Sequence, residues 1–401
     1  MSTDLRHARW ALTIVFAMDG MVFASWSSRL PQVEQAVHAS NGSLGIALLG
    51  TAAGAFVAMP TMGWLCRLIH PRVVASCAVL ALAATVLLPG LTRSPAVLLV
   101  TLLAFGAAYG SVDVSMNASA VGMATEYGRP IVPTFHAAYS FGGLIGAGAG
   151  GLAVAVGMPV ETHFVIVACI TVASLAIAVR PLLRQRSETV RYNQSDTGRQ
   201  SAPIGTVLRG ALPTLAIAAM LTFGTGFGEG VNANWASIHL VQDANSPAGI
   251  APLGFAGFSL AQAILRAGGA RLTERLGPRT VVAAGAALGA IGFGMTLVPV
   301  VAIALCGYVV VGIGLSSIFP LGTAYAGQVA GSAGVSVTSS VGYAGVLLGP
   351  PLIGILANAT SLTTALIVPG ALALVILAVS FRIPKTSLDE DTPAQTKEQR
   401  V

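Results

Sequence analysis

Long apolar stretches recur along the whole chain and are separated by short polar segments. A helix needs about 20 predominantly apolar residues to cross the hydrocarbon core of a bilayer. Continuous runs of this length exclude a transmembrane β-barrel, because barrel strands alternate in hydrophobicity over roughly 10 residues. The pattern therefore predicts an all-α integral membrane protein with twelve transmembrane helices, at residues 10–33, 43–65, 73–91, 95–122, 133–157, 161–180, 209–240, 250–272, 280–298, 301–325, 333–357 and 361–382.

Composition and charge support this class and indicate an orientation. Only 9% of the 401 residues are charged, against about 25% in soluble domains. Arginine and lysine concentrate on one side of the predicted spans, and the other side carries little beyond Arg29 and Arg93. Because cytoplasmic loops retain positive charge, we expect a multi-pass protein of the cytoplasmic (inner) membrane with both termini in the cytoplasm. No basic cluster alternates with aromatic residues, so we expect no nucleic-acid partner.

The sequence also repeats itself internally. ASWSSRL at 24–30 resembles ANWASIH at 233–239, and GWLCRLIHPR at 63–72 resembles ARLTERLGPR at 270–279, at nearly the same shift. Ordered matches at one shift indicate two similar six-helix halves, for which a monomer suffices. We predict an N-terminal bundle at 1–183, a cytoplasmic linker at 184–208, a C-terminal bundle at 209–383 and a disordered cytoplasmic tail at 384–401.

Two six-helix halves joined by a basic loop resemble the major facilitator superfamily of secondary transporters. The loop after the eighth predicted helix is similar to that family's pattern G-x-L-x-D-R-x-G-R-R, with a glutamate in place of the aspartate. The loop after the second helix departs from it, since Arg67 stands where the acid belongs, and anchoring at the cytoplasmic surface is the alternative role for Arg67. The resemblance implies a fold of two six-helix repeats and a cytoplasmic gate formed by Arg72, Glu274, Arg275 and Arg279.

The stretch SVDVSMNASA places Asp113 and Asn117 on one face of the fourth predicted helix. A carboxylate inside a membrane is costly and normally faces the bundle interior or a watery cavity. The D-x-x-x-N pattern resembles the E-x-x-x-N of the fucose permease-like branch of sugar:proton symporters. This resemblance implies that Asp113 binds the proton and substrate, that Asn117 binds substrate hydroxyls and that Asp19 is a second protonatable group. The alternative for both acids is a purely structural role.

The seventh predicted helix contains a polar stretch, GFGEGVNANW, with three glycines. Glycine-interrupted polar segments mark the midplane binding site in transporters. We expect Glu229 to assist proton coupling, although pairing with a charge at a helix end is the alternative. Amides and aromatic rings suit a sugar, so the substrate-binding candidates here are Asn232, Asn234, Trp235 and its repeat counterpart Trp26. Both tryptophans are equally compatible with a belt at the membrane interface.

Two further basic residues lie within predicted helices. His136 is a candidate for substrate binding or for a proton relay near Glu126 and Arg129, with a structural role as the alternative. Arg266 requires a partner inside the membrane, and Asp113 is one candidate if the two lie at the same depth.

The sequence thus predicts a proton-coupled transporter that moves a small polar solute, with a sugar as the leading class, by alternating access. A proton-driven efflux antiporter for drugs or metabolites is the main alternative, and a non-transporting membrane sensor or enzyme is the other. The four cysteines have no paired spacing and no nucleotide-binding or metal-binding motif is present, so we expect no cofactor, no metal and no enzymatic activity. The expected partners are protons, the solute and the lipid bilayer.

Overall fold

The computed structural model describes residues 3–127, 131–184 and 212–383, and all regular secondary structure in these ranges is helical. The predicted linker beyond Arg184 and the predicted tail at 384–401 lie outside the described residues. The first half contains α1 (Thr3–Ser28), the short α2 (Leu30–Ala36), α3 (Asn41–Leu68), α4 (Pro71–Thr85) followed by one 3-10 turn (Leu88–Leu91), α5 (Pro95–Tyr127), α6 (Val132–Ala155) and α7 (Val160–Arg184).

The second half repeats this arrangement. One of its helices contains the end of the tenth predicted span and the whole of the eleventh, divided at Gly331, whose φ of 57° is favoured only by glycine. The helices are α8 (Leu212–Gln242), α9 (Pro252–Leu276), α10 (Pro278–Thr296), α11 (Val301–Leu315), α12 (Ile318–Ala359), α13 (Leu362–Ala365) and α14 (Ile367–Ser380).

The predicted fold class, two repeats of six transmembrane helices, is confirmed. In the described residues, 11 helical segments are long and apolar enough to cross a membrane. The twelfth span is α9, which has 25 residues and matches the predicted span at 250–272. Its length suffices, but Gln262 and Arg266 lower its hydropathy.

Several predicted spans are interrupted in the structure, among them the first and the tenth. The first ends at Ser28, and α2 begins after Arg29. The tenth, predicted as one helix over 301–325, breaks between α11 and α12 at Ser316 and Ser317. The break frees the carbonyl of Ser316 from helical hydrogen bonding, and that carbonyl accepts a hydrogen bond from Arg266 Nε at 3.1 Å.

Glycines permit close contact between helices within each half. A Cβ on Gly142 of α6 would overlap the backbone of Ala17 on α1, and a Cβ on Gly20 would overlap the backbone of Tyr139. The equivalent pair in the second half is α8 and α12, where a Cβ on Gly226 would overlap the backbone of Gly342. Small residues allow such backbone approach in membranes, so each half forms a tightly packed bundle.

The two halves contact each other at the end of the molecule where α1 and α8 terminate, which we call the closed end. Here Gly45 of α3 packs on Gly354 of α12, and Gly249, between α8 and α9, packs on Ala155 of α6. Ser27 Oγ also donates a hydrogen bond to the carbonyl of Ala233 in the other half. Both pairs, α3 with α12 and α6 with α9, therefore join the halves.

Toward the opposite end, which we call the open end, the facing surfaces of the halves are accessible. His136 on α6, Arg266 on α9 and Tyr343 on α12 are all exposed. A cleft therefore runs between the halves from the open end to about the middle of the bundle. Phe23 and Phe255, one from each half, lie with ring centroids 6.1 Å apart at its inner limit.

The outer surface of the bundle is apolar. Phe56, Val57 and Leu152 are 62%, 70% and 65% exposed, which would be unfavourable for side chains of this size in water. Helices with all backbone hydrogen bonds satisfied and apolar outer faces are suited to the hydrocarbon core of a membrane.

Candidate functional site

The cleft-facing surface of the first half carries a carboxylate positioned by an amide. Asn117 lies one helical turn after Asp113 on α5, and its Nδ2 donates to the Asp113 carbonyl at 2.9 Å and to Asp113 Oδ1 at 3.1 Å. Both side chains are partly exposed. The predicted pairing of these two residues on one helix face is therefore present, with the carboxylate accessible from the cleft.

Asp19 lies behind this pair. Its side chain on α1 is 1% exposed, and neither carboxylate oxygen has a hydrogen-bond partner among the described residues. Asp19 is within electrostatic reach of Asp113. The structure thus brings the two acids of the first half together at mid-depth in the bundle, one buried and one facing the cleft.

Two tyrosines complete the polar cluster of the first half. Tyr109 on α5 and Tyr139 on α6 share a hydrogen bond of 2.9 Å between their hydroxyl oxygens. Both hydroxyls are within electrostatic reach of Asp19 and Asp113. Sequence reasoning missed both residues, although Tyr109 precedes Asp113 by one helical turn and therefore shares its helix face.

The second half presents an ion pair to the cleft. Glu229 Oε1 on α8 accepts hydrogen bonds from Gln262 Nε2 and Arg266 Nη2 on α9, each at 2.6 Å. The side chains of Arg266 and Glu229 are 42% and 26% exposed. The suggestion that Asp113 partners Arg266 is therefore wrong, because Glu229 lies in the same half and at the depth of the arginine.

Two side chains lie between these clusters. Tyr343 on α12, 47% exposed, is within electrostatic reach of both Asp113 and Glu229, and sequence reasoning missed it. His136 on α6 packs edge-on against Phe16, with ring centroids 5.4 Å apart, and is within electrostatic reach of Arg266. Polar side chains of both halves thus approach one another between Asp113 and Glu229.

The remaining substrate-binding candidates lie in packed regions. Trp26 and Trp235 are 1% and 0% exposed, so neither ring reaches the cleft or the outer surface in this conformation. Trp235 Nε1 donates to the Pro350 carbonyl at 3.0 Å, across α8 and α12. Asn232 Nδ2 and Asn234 Nδ2 each donate to a carbonyl one turn earlier on α8, at 2.8 Å. A substrate-binding role for these four residues stays a prediction.

The predicted gate residues lie at the open end and form separate contacts. Arg72 is buried and pairs with Glu126 at 3.7 Å, which joins α4 to α5. The guanidinium of Arg279 lies over the ring of Phe381 at 5.4 Å, while Glu274 and Arg275 are exposed. Arg129, suggested as a neighbour of His136, lies outside the described residues. In this conformation Arg72 and Arg279 thus form contacts within their own halves.

Comparison with known proteins identifies the family. The model of the Major Facilitator Superfamily matches residues 11–228 and 218–401, which together span both halves. The chain belongs to the major facilitator superfamily. It is accordingly a multi-pass membrane transporter.

Curated relatives cover nearly the whole chain. An MFS-type transporter of Yersinia pestis is 30% identical over 376 residues, 92% of each protein. The transporter y4wD of Sinorhizobium fredii is 28% identical over 373 residues, covering 91% of this chain and 95% of the relative. Membrane protein MosC of Rhizobium meliloti is 27% identical, covering 92% of this chain and 88% of MosC.

Solved structures show the same fold. The nucleoside transporter NupG superposes with a TM-score of 0.75 at 13% identity and covers 94% of this chain and 98% of its own. A bacterial homologue of the human lysosomal transporter Spinster, in an inward-facing and occupied conformation, gives a TM-score of 0.74 at 14% identity, with coverage of 95% and 97%.

Proposed function

We propose that this transporter couples the movement of protons to that of a small polar solute, with a sugar as the leading class. The observation that carries the proposal is the pair of acids at mid-depth. Asp19 is buried without a hydrogen-bond partner among the described residues, and Asp113, oriented by Asn117, faces the cleft beside it.

Asp113 is the proposed principal proton-binding residue and Asp19 assists it. A charged carboxylate withdrawn from water is costly without donors, and a second carboxylate nearby adds to that cost. Taking up a proton removes both penalties, so these residues suit reversible protonation. Glu229 already receives hydrogen bonds from Gln262 and Arg266, so a proton arriving there would have to displace an ion pair.

The cleft suits a polyhydroxylated solute. Asn117, Tyr343 and Arg266 offer hydrogen-bond donors and acceptors from both halves, and the ring of Tyr343 offers an apolar face. Binding sites for small molecules typically combine apolar walls with a few placed polar groups. We propose that the solute bridges the halves here, between Asp113 on one side and the Glu229–Arg266 pair on the other.

The open end is the proposed cytoplasmic side, since Arg6, Arg72 and Arg279 lie at that end and positive charge is retained in the cytoplasm. The structure would then be inward-facing in the inner membrane. In this scheme, the opposite conformation requires α3 to separate from α12 and α6 from α9 at the closed end. Neutralisation of Asp113 by a proton would favour closure of the cleft around bound solute.

The test is the pH outside lightly buffered, de-energised cells that express the protein, on addition of sugars, nucleosides and then lipophilic cations. Alkalinisation with a sugar supports symport and names the solute. The variant Asp113→Asn should abolish that signal, whereas Asp4→Asn, a matched change at an exposed position, should retain it. Wild-type proton flux in Asp113→Asn would refute the central role of Asp113, and acidification with cations would favour an exchanger.

A further inference from the structure

We propose that the Tyr109–Tyr139 hydroxyl pair is the proton-transfer link between the cleft and Asp19. The inference rests on the proposed proton coupling and assigns a route within it. Asp19 is 1% exposed, so protons in the cleft cannot reach it directly. A buried acid that exchanges protons with water needs an intermediate group that can both donate and accept.

The tyrosine hydroxyls are placed for that task. Tyr109 and Tyr139 are both partly exposed, and their oxygens lie 2.9 Å apart, within the normal range for a hydrogen bond. Both hydroxyls are within electrostatic reach of Asp19. The hydrogen bond joins α5 to α6, and in the proposal the pair bridges the cleft and the buried acid.

Packing holds the pair beside Asp19. Gly20, the residue after Asp19, contacts the backbone of Tyr139 so closely that a Cβ there would overlap it. The ring of Tyr109 packs against Phe23 of α1, with centroids 5.0 Å apart. Both tyrosines are thus anchored to α1, the helix that carries Asp19, and an apolar ring covers one side of the link.

The transfer conserves protons and needs no co-reactant. The outer hydroxyl accepts a proton from a hydronium ion in the cleft, which becomes water, or from protonated Asp113, which becomes a carboxylate, while it gives its own proton to the other hydroxyl. Neither Asp19 oxygen accepts a hydrogen bond from a described residue in this conformation, so the last step includes a change of the Asp19 rotamer towards the second hydroxyl. That hydroxyl then gives its proton to the Asp19 carboxylate, and both tyrosines end neutral. Across the cleft, Glu229 is within electrostatic reach of Tyr139, so the state of the second half can bias the direction of transfer.

The experiment compares Tyr139→Phe and Tyr109→Phe with the matched control Tyr325→Phe, since Tyr325 lies on α12 of the other half. Two readouts are taken with the solute found for the wild type: proton-driven accumulation, and counterflow exchange, which needs no net proton movement. A relay predicts that each variant slows accumulation by about tenfold or more while counterflow remains near the wild-type rate. The control should change neither.

A merely structural role would lower both readouts together, and unchanged accumulation in both variants would show that the link is not used. The double variant Asp19→Asn with Tyr139→Phe provides a second check, because groups acting in series are not additive. It should accumulate solute no more slowly than Asp19→Asn alone, and a further tenfold loss would overturn the inference. Absence of proton flux in the wild type would instead remove the proposed function itself, and the inference with it.

Discussion

Gln242 Nε2 donates to both carboxylate oxygens of Glu34, at 3.0 Å each, and so joins α8 of the second half to α2 of the first. Pro31, His38 and Val241 line a cavity of about 420 Å³ beside this contact, with Glu34 and Gln242 in its wall. The pair lies beyond the ends of α1 and α3, outside the proposed membrane core. Its separation is therefore a necessary step in opening the closed end.

This contact predicts that the stability of the closed end depends on pH. Burial raises the pKa of the Glu34 carboxyl to about 7, although the hydrogen bond from Gln242 lowers it. When the closed end opens, Glu34 regains water and its ordinary pKa near 4.5, so the closed end binds the proton more tightly. The contact at the closed end is then most stable at low pH. Its free energy of opening falls by up to about 3 kcal/mol as the pH rises from about 4.5 to about 7.

The measurement is the distance between spin labels at Gln35→Cys and Ile250→Cys, in a variant whose four native cysteines are replaced. The short-distance population should decrease as the pH is raised and stay constant above about 8. Glu34→Gln removes this titrating group and should abolish the decrease of the short-distance population with rising pH. A pH dependence that persists in Glu34→Gln would assign the effect to another group.

The ion pair between Glu229 and Arg266 predicts coupled mutational effects. Arg266→Gln leaves Glu229 without its cation, whereas the double variant with Glu229→Gln removes both charges. We expect the single variant to unfold at a lower temperature in detergent than the double variant, since an unpaired charge costs more than a lost pair. Arg271→Gln, an exposed change on the same helix, is the control. Additive effects of the two substitutions would show that the pair contributes no coupling.

Two glycine substitutions, one at the contact of α1 with α6 and one away from it, should have opposite effects on stability. Gly142→Ala places a methyl group onto the backbone of Ala17 and should destabilise the protein by about 1–3 kcal/mol. Gly122→Ala, on α5, meets no atom within 4 Å and should be neutral or stabilise by up to about 1 kcal/mol through helix propensity. Thermal unfolding of both variants in detergent measures the difference, and equal midpoints would argue against the close contact.

Replacement of Trp235 should lower the stability of the protein without changing its affinity for the solute. Trp235→Phe removes the donor to the Pro350 carbonyl, and a buried carbonyl left without a donor costs about 1–3 kcal/mol. Because the ring is 0% exposed, we expect a lower unfolding temperature and an unchanged KM for the solute. A raised KM at an unchanged unfolding temperature would instead place the tryptophan in the substrate site, as its sequence context suggests.

Much of the architecture could be predicted from the sequence. The twelve spans and the two halves follow from the lengths of the apolar runs and from the internal repeat, because a helix must satisfy its own backbone in a membrane. Asp113 and Asn117 were also identifiable as one pair, since their spacing of four residues places them on one helix face whatever surrounds it.

Contacts between helices could not be predicted in the same way. The sequence offered three acids and one arginine inside the membrane with no means of pairing them, and the pairing of Arg266 with Glu229 depends on how α8 packs on α9. Tyr109, Tyr139 and Tyr343 carry no distinctive motif, and Trp26 and Trp235 look alike in a binding site, an interfacial belt or a core.

For this protein, then, local chemistry determined the class, the spans, the repeat and the Asp113–Asn117 pair, because each depends on hydropathy or on the period of one helix. Tertiary structure alone decided which end is closed, which acid is buried and which faces the cleft, and which residues join the halves. These features arise from contacts between residues distant in sequence, such as Glu34 with Gln242, and the side chains that form them are set by helix packing rather than by their neighbours in the chain.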